Sequence, residues 1–220
     1  MNKDELRIRI IPEDGQILIE THTNGIVKCK EVQEDALLDC IKISQRQYLS
    51  SGFLPPGCFH VGIHPNEGKS YCLRYPRLYA DISYHETPYP NFPLPRLVFA
   101  FRVDTDGKVS ECRLGVTADE RLTPETAMFR YPFSNVGGSM GTICIGRNAL
   151  PQYKTPHALA SLPTFLLSIP NGDHSFNALN NKLGMQYRDL LEHLKDKDPS
   201  YYYSDVLIPN GKTLKDFIGG

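Results

Sequence analysis

The sequence predicts an α+β fold, an antiparallel β-meander with flanking helices and an N-terminal β-hairpin and helix extension. Runs with period-two apolar alternation recur between turn signals from about residue 50 to 119. Helical periodicity is confined to a stretch near the N-terminus and to the last third of the chain. The 220 residues suffice to bury a core without disulfide staples. By pattern they divide into an extension over 1–49 and a main domain over 50–220.

In the extension, Leu6, Ile8 and Ile10 alternate, Pro12-Glu13-Asp14-Gly15 turns the chain, and Ile17 to Thr21 returns. Asn24-Gly25 is a second turn leading to a short strand at Ile26-Val27. Ala36, Leu37, Cys40, Ile41 and Ile43 give 33–45 an apolar helical face. In the main domain, strands are expected at 59–63, 71–75, 78–82, 96–103 and 109–116, with Glu67-Gly68-Lys69-Ser70 as a hairpin turn. The proline-rich run 87–95 can be neither helix nor central strand. Met128 to Tyr131 reads as short and extended. Thr155-Pro156 starts a helix that reaches Ile169, with Thr155 as cap and a break or late start at Pro163. A second helix is expected from Asn180 to Leu194, followed by an irregular tail in which Tyr201-Tyr202-Tyr203 packs.

With a formal net charge of −1, no global field attracts nucleic acid or anionic membrane. No run approaches the roughly 18 apolar residues of a membrane span. The first residues lack the apolar core of a secretory signal. A cytoplasmic protein with reduced thiols is expected. None of the six cysteines forms a C-x-x-C pair, so neither a zinc knot nor another metal or cofactor is expected.

Those six thiols differ in context. Cys29, Cys40, Cys72 and Cys112 fall in strand or helix patterns among apolar residues and read as buried filler. Cys58 follows Pro55-Pro56-Gly57 in a turn. Cys144 closes a loop with glycines at 137, 138, 141 and 146, where a partner chain can approach the backbone closely. It is the candidate nucleophile.

The stretch Asn135-Val136, then Gly141-Thr142-Ile143-Cys144-Ile145, resembles the active-site segment of ubiquitin-conjugating enzymes, His-Pro-Asn-Ile followed by Gly-x-Ile-Cys-Leu. Leu159 to Ile169 resembles the helix after that cysteine, Pro170-Asn171-Gly172-Asp173 the turn behind it, and Tyr89 to Pro95 the proline turn before it. Pro132-Phe133-Ser134-Asn135-Val136 and Gly141-Thr142-Ile143-Cys144-Ile145-Gly146 are similar to the bacterial branch called prokaryotic ubiquitin-conjugating family D, which takes in protein B of the PRTRC system. The family's histidine is absent, with Phe133 or Ser134 near its place. His64-Pro65-Asn66 spells the family motif literally, six residues before Cys72, but no Gly-x-Ile-Cys-Leu follows it.

The resemblance implies a ubiquitin-conjugating-like fold and a transferase. Cys144 would accept a ubiquitin-like modifier from a ThiF-type activating enzyme as a thioester and pass it to an amine. A JAB-type peptidase would be a neighbouring partner. Asn135 would supply an amide donor or hold the loop, Gly141, Thr142, Ile143 and Ile145 would frame the thiol, and Asp173 or His174 would handle the amine. Read as residues alone, Asn135 is equally a turn former, and Asp173-His174 equally a polar turn. Three other readings stay open: an inert scaffold of the same fold, a cysteine hydrolase pairing Cys144 with His157 or His174, and a DNA-associated accessory protein. Gly219-Gly220 resembles a modifier's diglycine end or is a plain flexible terminus.

Overall fold

The computed structural model describes residues 5–11, 16–23, 26–44, 52–64, 67–138 and 140–219. The chain forms two compact units, Met1–Ser50 and Ser51–Gly220. Its sheets are antiparallel throughout, so the class is α+β. Among the described residues no helix is long and apolar enough to cross a membrane.

The first unit holds strands β1 (Glu5–Ile11), β2 (Gln16–Thr23) and β3 (Ile26–Val32), paired in that order, then helix α1 (Glu34–Ser44). Ile8 faces Ile19 and Ile10 faces Ile17 across the first pair, the cross-strand apolar contacts that fix register. β3 is five residues longer than Ile26-Val27, because its pairing with β2 continues to Ile17↔Val32. Backbone satisfaction carries it through Lys28-Cys29-Lys30 despite their polarity. Cys29 therefore stands exposed on an edge strand, not in the apolar setting expected of it. The turns at Pro12–Gly15 and Asn24-Gly25, and the Cys40 side chain, lie outside the described residues.

The second unit is built on a sheet in the order β11-β12-β9-β8-β5-β4. These are β4 (Cys58–His64), β5 (Gly68–Arg74), β8 (Arg96–Val103), β9 (Val109–Thr117), β11 (Val136–Gly137) and β12 (Thr142–Ile143). Beyond its junction with β12, β9 pairs with β10 (Ala127–Phe129), which in turn pairs with β13 (Pro209–Thr213). Between β5 and β8 the chain leaves the sheet as a separate ribbon, β6 (Tyr79–Tyr84) and β7 (Thr87–Pro93). The proline-rich run forms β7, neither helix nor central strand, in a two-stranded ribbon where Pro88 faces Ser83 and Pro93 faces Tyr79. The expected turn at Glu67–Ser70 moves back toward His64: Gly68, Lys69 and Ser70 already pair within β5. Pro65-Asn66 lies outside the described residues.

Period-two alternation gives the sheet two apolar faces. Tyr71, Leu73, Phe99, Phe101, Leu114 and Val116 lie in a core with Leu162 and Leu166 of α2 (Leu162–Leu167) and Leu190, Leu191 and Leu194 of α3 (Tyr187–Leu194). Cys72, Val98, Ala100 and Met128 lie in a second cluster with Leu214 and Phe217 of α4 (Leu214–Gly219).

The helices differ from expectation at their ends. Pro156–Ser161 is 3-10, and the α-helix starts late, with Pro163 as its second residue and Leu167 as its last. Thr155 is extended and makes no side-chain cap. The helix expected from Asn180 begins only at Tyr187, because Gly184 has φ +63° and Gln186 is extended. The tail is ordered: a π-turn at Tyr202–Val206 precedes β13 and α4. β10 supplies the edge that β13 completes, and Leu214 and Phe217 cover the second sheet face. Tyr202 is fully buried and donates its hydroxyl to Pro93 O at 2.8 Å. Gly219 ends α4, and Gly220 lies outside the described residues.

Candidate active site around Cys144

Cys144 sits directly after β12 and is exposed. Strands β11 and β12 form a minimal hairpin through Val136↔Ile143 and Gly137↔Thr142. One step further, Cys144 N–H donates to Asn135 O at 2.7 Å. Ile143 is buried and Ile145 half-buried, so alternate residues anchor the segment while Thr142 and Cys144 remain exposed.

The other edge of β12 meets β9 at Thr142↔Arg113, and Leu114 N–H donates to Gly141 O at 2.8 Å. Gly141 has φ +74°, and a Cβ there would lie 2.1 Å from Leu114 O. Close approach and a left-handed backbone both require glycine at this point. Behind the thiol, Asn148 closes a turn on Ile145 O with its N–H at 3.1 Å and its Nδ2 at 2.8 Å.

Asn135 joins this hairpin to the turn after α2. Its backbone is left-handed at φ +63°, a conformation asparagine tolerates better than most residues. Its carbonyl takes the Cys144 N–H, and its Nδ2 donates to Pro170 O at 3.0 Å. Of the two expected roles, holding the loop is the one the bonds display. One of the two amide hydrogens is used in doing so.

Sequence reasoning missed the buried polar layer beneath. Ser134 is fully buried, donates to Asn171 Oδ1 at 3.0 Å and accepts from Gly172 N–H at 3.3 Å. Asn171 donates Nδ2 to Ser83 O at 3.1 Å, and its own carbonyl accepts His85 N–H at 2.8 Å. Tyr84 pairs with Asn171 in an isolated parallel bridge, which docks the β6–β7 ribbon onto the post-helix turn. The signal available was small: a serine near the place of the family's histidine, and an asparagine inside the recognised turn.

Asp173 is exposed and accepts the Tyr84 hydroxyl at 2.8 and 3.0 Å, with His85 Nε2 3.5 Å away. The carboxylate pushes the Tyr84 phenol above its ordinary value. So Asp173 belongs to the same turn as Asn135's acceptor and is held by Tyr84, while His174 is exposed beside it. His157 is turned to Leu54 O at 3.3 Å. Among the described residues no side chain hydrogen-bonds the Cys144 thiol, so no Cys-His pair is formed. No group of three or more His, Cys, Asp or Glu able to hold a metal occurs among them either.

The other thiols separate by burial. Cys72 and Cys112 are buried and pushed up to about 12, both mainly by desolvation. Burial also raises half-buried Cys58. At pH 8 a maleimide should therefore modify Cys144 and Cys29 first and Cys58 slowly. Cys72 and Cys112 should react only on unfolding. Because the unfolded thiols ionise near 9.0 and the folded ones near 12, the unfolded state binds fewer protons between those values. Stability is fully present below pH 9 and falls as pH rises toward 12. Peptide mapping of the labelled cysteines and denaturant midpoints at pH 8 and 10 check both statements.

No protein family, no curated protein and no solved structure matches this chain.

Proposed function

We propose that the chain is a ubiquitin-conjugating-like transferase that carries a ubiquitin-like modifier as a thioester on Cys144. The observation that carries this reading is the double use of Asn135. One residue holds the exposed thiol's strand by its carbonyl and the Pro170 turn by its side chain. That is the order of parts, asparagine, cysteine, helix and turn, on which the resemblance rests. Ser134, near the place of the family's histidine, bonds that same turn.

In the first step the Cys144 thiolate attacks the thioester carbonyl presented by a ThiF-type activating enzyme. The tetrahedral intermediate then expels that enzyme's thiolate. In the second, an amine attacks the Cys144 thioester, its proton passes to a base, and the Cys144 thiolate leaves. The remaining Asn135 amide hydrogen is the donor for the oxyanion of the second step, and Asp173, pinned by Tyr84, draws the incoming amino group. A JAB-type peptidase would reverse the conjugation, and the setting would be the cytoplasm.

The test is incubation with the cognate activating enzyme, modifier and ATP, followed by non-reducing electrophoresis. The expected result is a thiol-sensitive adduct that Cys144→Ala abolishes. Asn135→Ala should retain the adduct but slow its discharge to lysine by about 100-fold, the scale of a lost oxyanion donor. A demonstrably charged activating enzyme that leaves the wild-type chain unmodified overturns the proposal, and leaves the inert-scaffold reading in its place.

A further inference from the structure

The edge of β9 changes partner between Arg113, which faces β12, and Val116, which faces β10. The gap opens a cleft of about 450 Å³ between the β11–β12 hairpin and the β10–β13 pair. That volume falls within the range of ligand sites. Cys144 does not line it.

Three properties of the cleft agree. Its floor is apolar, with Met128 and Phe217 among the residues at its base. One wall is main chain: Val136 to Gly138 belong to the terminal strand of the sheet and the turn after it, and a side chain at Gly137 or Gly138 would meet nothing within 4 Å. The charged side chains of the lining are Arg130 and Lys212, both exposed and without an ion-pair partner among the described residues. The remaining polar lining is of the amides of Asn177, Asn180 and Asn210 and the hydroxyls of Tyr131 and Ser175, and no carboxylate lines the cleft among the described residues. The nearby Asp216 carboxylate, which does not line the cleft, accepts the Thr213 N–H and Oγ1 at 2.8 and 2.9 Å and is attracted more weakly by Lys212 and Lys215.

We propose that this cleft binds an extended acidic peptide segment of a partner protein. The terminal strand offers main-chain hydrogen bonds, as in recognition by strand addition. Side chains of an extended peptide alternate, so apolar residues face the floor while acidic ones reach Arg130 and Lys212. The site does not depend on the thioester chemistry of Cys144.

The test is fluorescence anisotropy with the full chain and a labelled octapeptide alternating Glu with Leu. A second peptide, with Lys in place of Glu, and an eight-nucleotide single-stranded RNA complete the set. The acidic peptide is expected to bind, more weakly as salt rises, and the basic one not to bind. In the double variant Arg130→Glu, Lys212→Glu, acidic-peptide affinity should fall at least tenfold and the basic peptide should be preferred. Circular dichroism verifies that the variant is folded, and the milder Arg130→Gln, Lys212→Gln pair substitutes if it is not. Equal binding of both peptides, no binding of either, or indifference to the substitutions overturns the proposal. So does RNA binding tighter than the acidic peptide, which assigns the cations to phosphates.

Discussion

Phe133→Ala is expected to destabilise the Ser51–Gly220 unit by about 3–5 kcal/mol, the usual cost of truncating a buried aromatic residue to alanine. Phe133 is 1% exposed and stands at the centre of an aromatic cluster. The rings of Phe92, Tyr131 and Tyr202 meet it edge-on at 5.7, 5.3 and 6.1 Å, and Tyr187 lies tilted at 6.4 Å. Such pairs add about 0.5–1.5 kcal/mol beyond area burial, and they hold together β7, the approach to β11, α3 and the π-turn. Three of the four neighbours are tyrosines whose polar ends are committed elsewhere or desolvated, so they cannot collapse freely into the space left. The expected fall in Tm is about 10 °C for a unit of this size. Tyrosine fluorescence or near-ultraviolet circular dichroism reports it directly, since the chain has no tryptophan. Phe133→Leu should cost less than half as much. A loss below 1 kcal/mol for Phe133→Ala would show that the cluster is not the hub of this core.

Gly141→Ala acts on the site itself. A left-handed backbone costs a residue with a Cβ about 1–2 kcal/mol, and here the Cβ also arrives 2.1 Å from Leu114 O. The obstacle is a main-chain carbonyl in the middle of the sheet and cannot swing aside. The cheapest response is to release the β11–β12 hairpin from β9, breaking the Leu114 N–H to Gly141 O bond and the Thr142↔Arg113 bridge. Amide exchange at Leu114 should accelerate at least 100-fold, and formation of the proposed Cys144 thioester should fall by a similar factor. Gly138→Ala is the control. Its φ is +72°, almost the same, yet its Cβ meets nothing within 4 Å. It pays the backbone term alone, about 1–2 kcal/mol. Equal behaviour of the two variants would refute the assignment of the effect to the Leu114 contact.

Those parts of the fold governed by local pattern were legible in the sequence. β8 follows its continuous apolar run from Leu97 to Phe101, β9 the alternation of Cys112, Leu114 and Val116, α1 its helical face, and the late start of α2 was marked by Pro163. What the sequence concealed was set by distant partners. β13 and α4 exist because β10 leaves an edge and Cys72, Val98 and Ala100 leave a face to cover. β3 runs through lysines because β2 pairs with it. The proline-rich strand needs only one neighbour, so its prolines are tolerated. At the site, the glycine pattern singled out Cys144 and Gly141. Tyr84 and His85 carried no local signal and Ser134 only its place before Asn135, because their roles arise only when the ribbon and the post-helix turn meet.

The bonds that join Asn135 to Pro170, Ser134 to Asn171 and Tyr84 to Asp173 span 35, 37 and 89 residues of sequence. Loop-closure entropy grows only with the logarithm of length, so the longest closure costs about 0.8 kcal/mol more than the shortest. Time is the larger consequence, since contacts between distant segments form slowly. The hairpins of the sheet close over a few residues each and can pair while the chain is still being synthesised. Cys144 cannot acquire its setting until residue 173 has emerged and folded back upon residue 84. A nascent chain therefore carries Cys144 outside its final setting, and the bonds that build that setting are among the last to form.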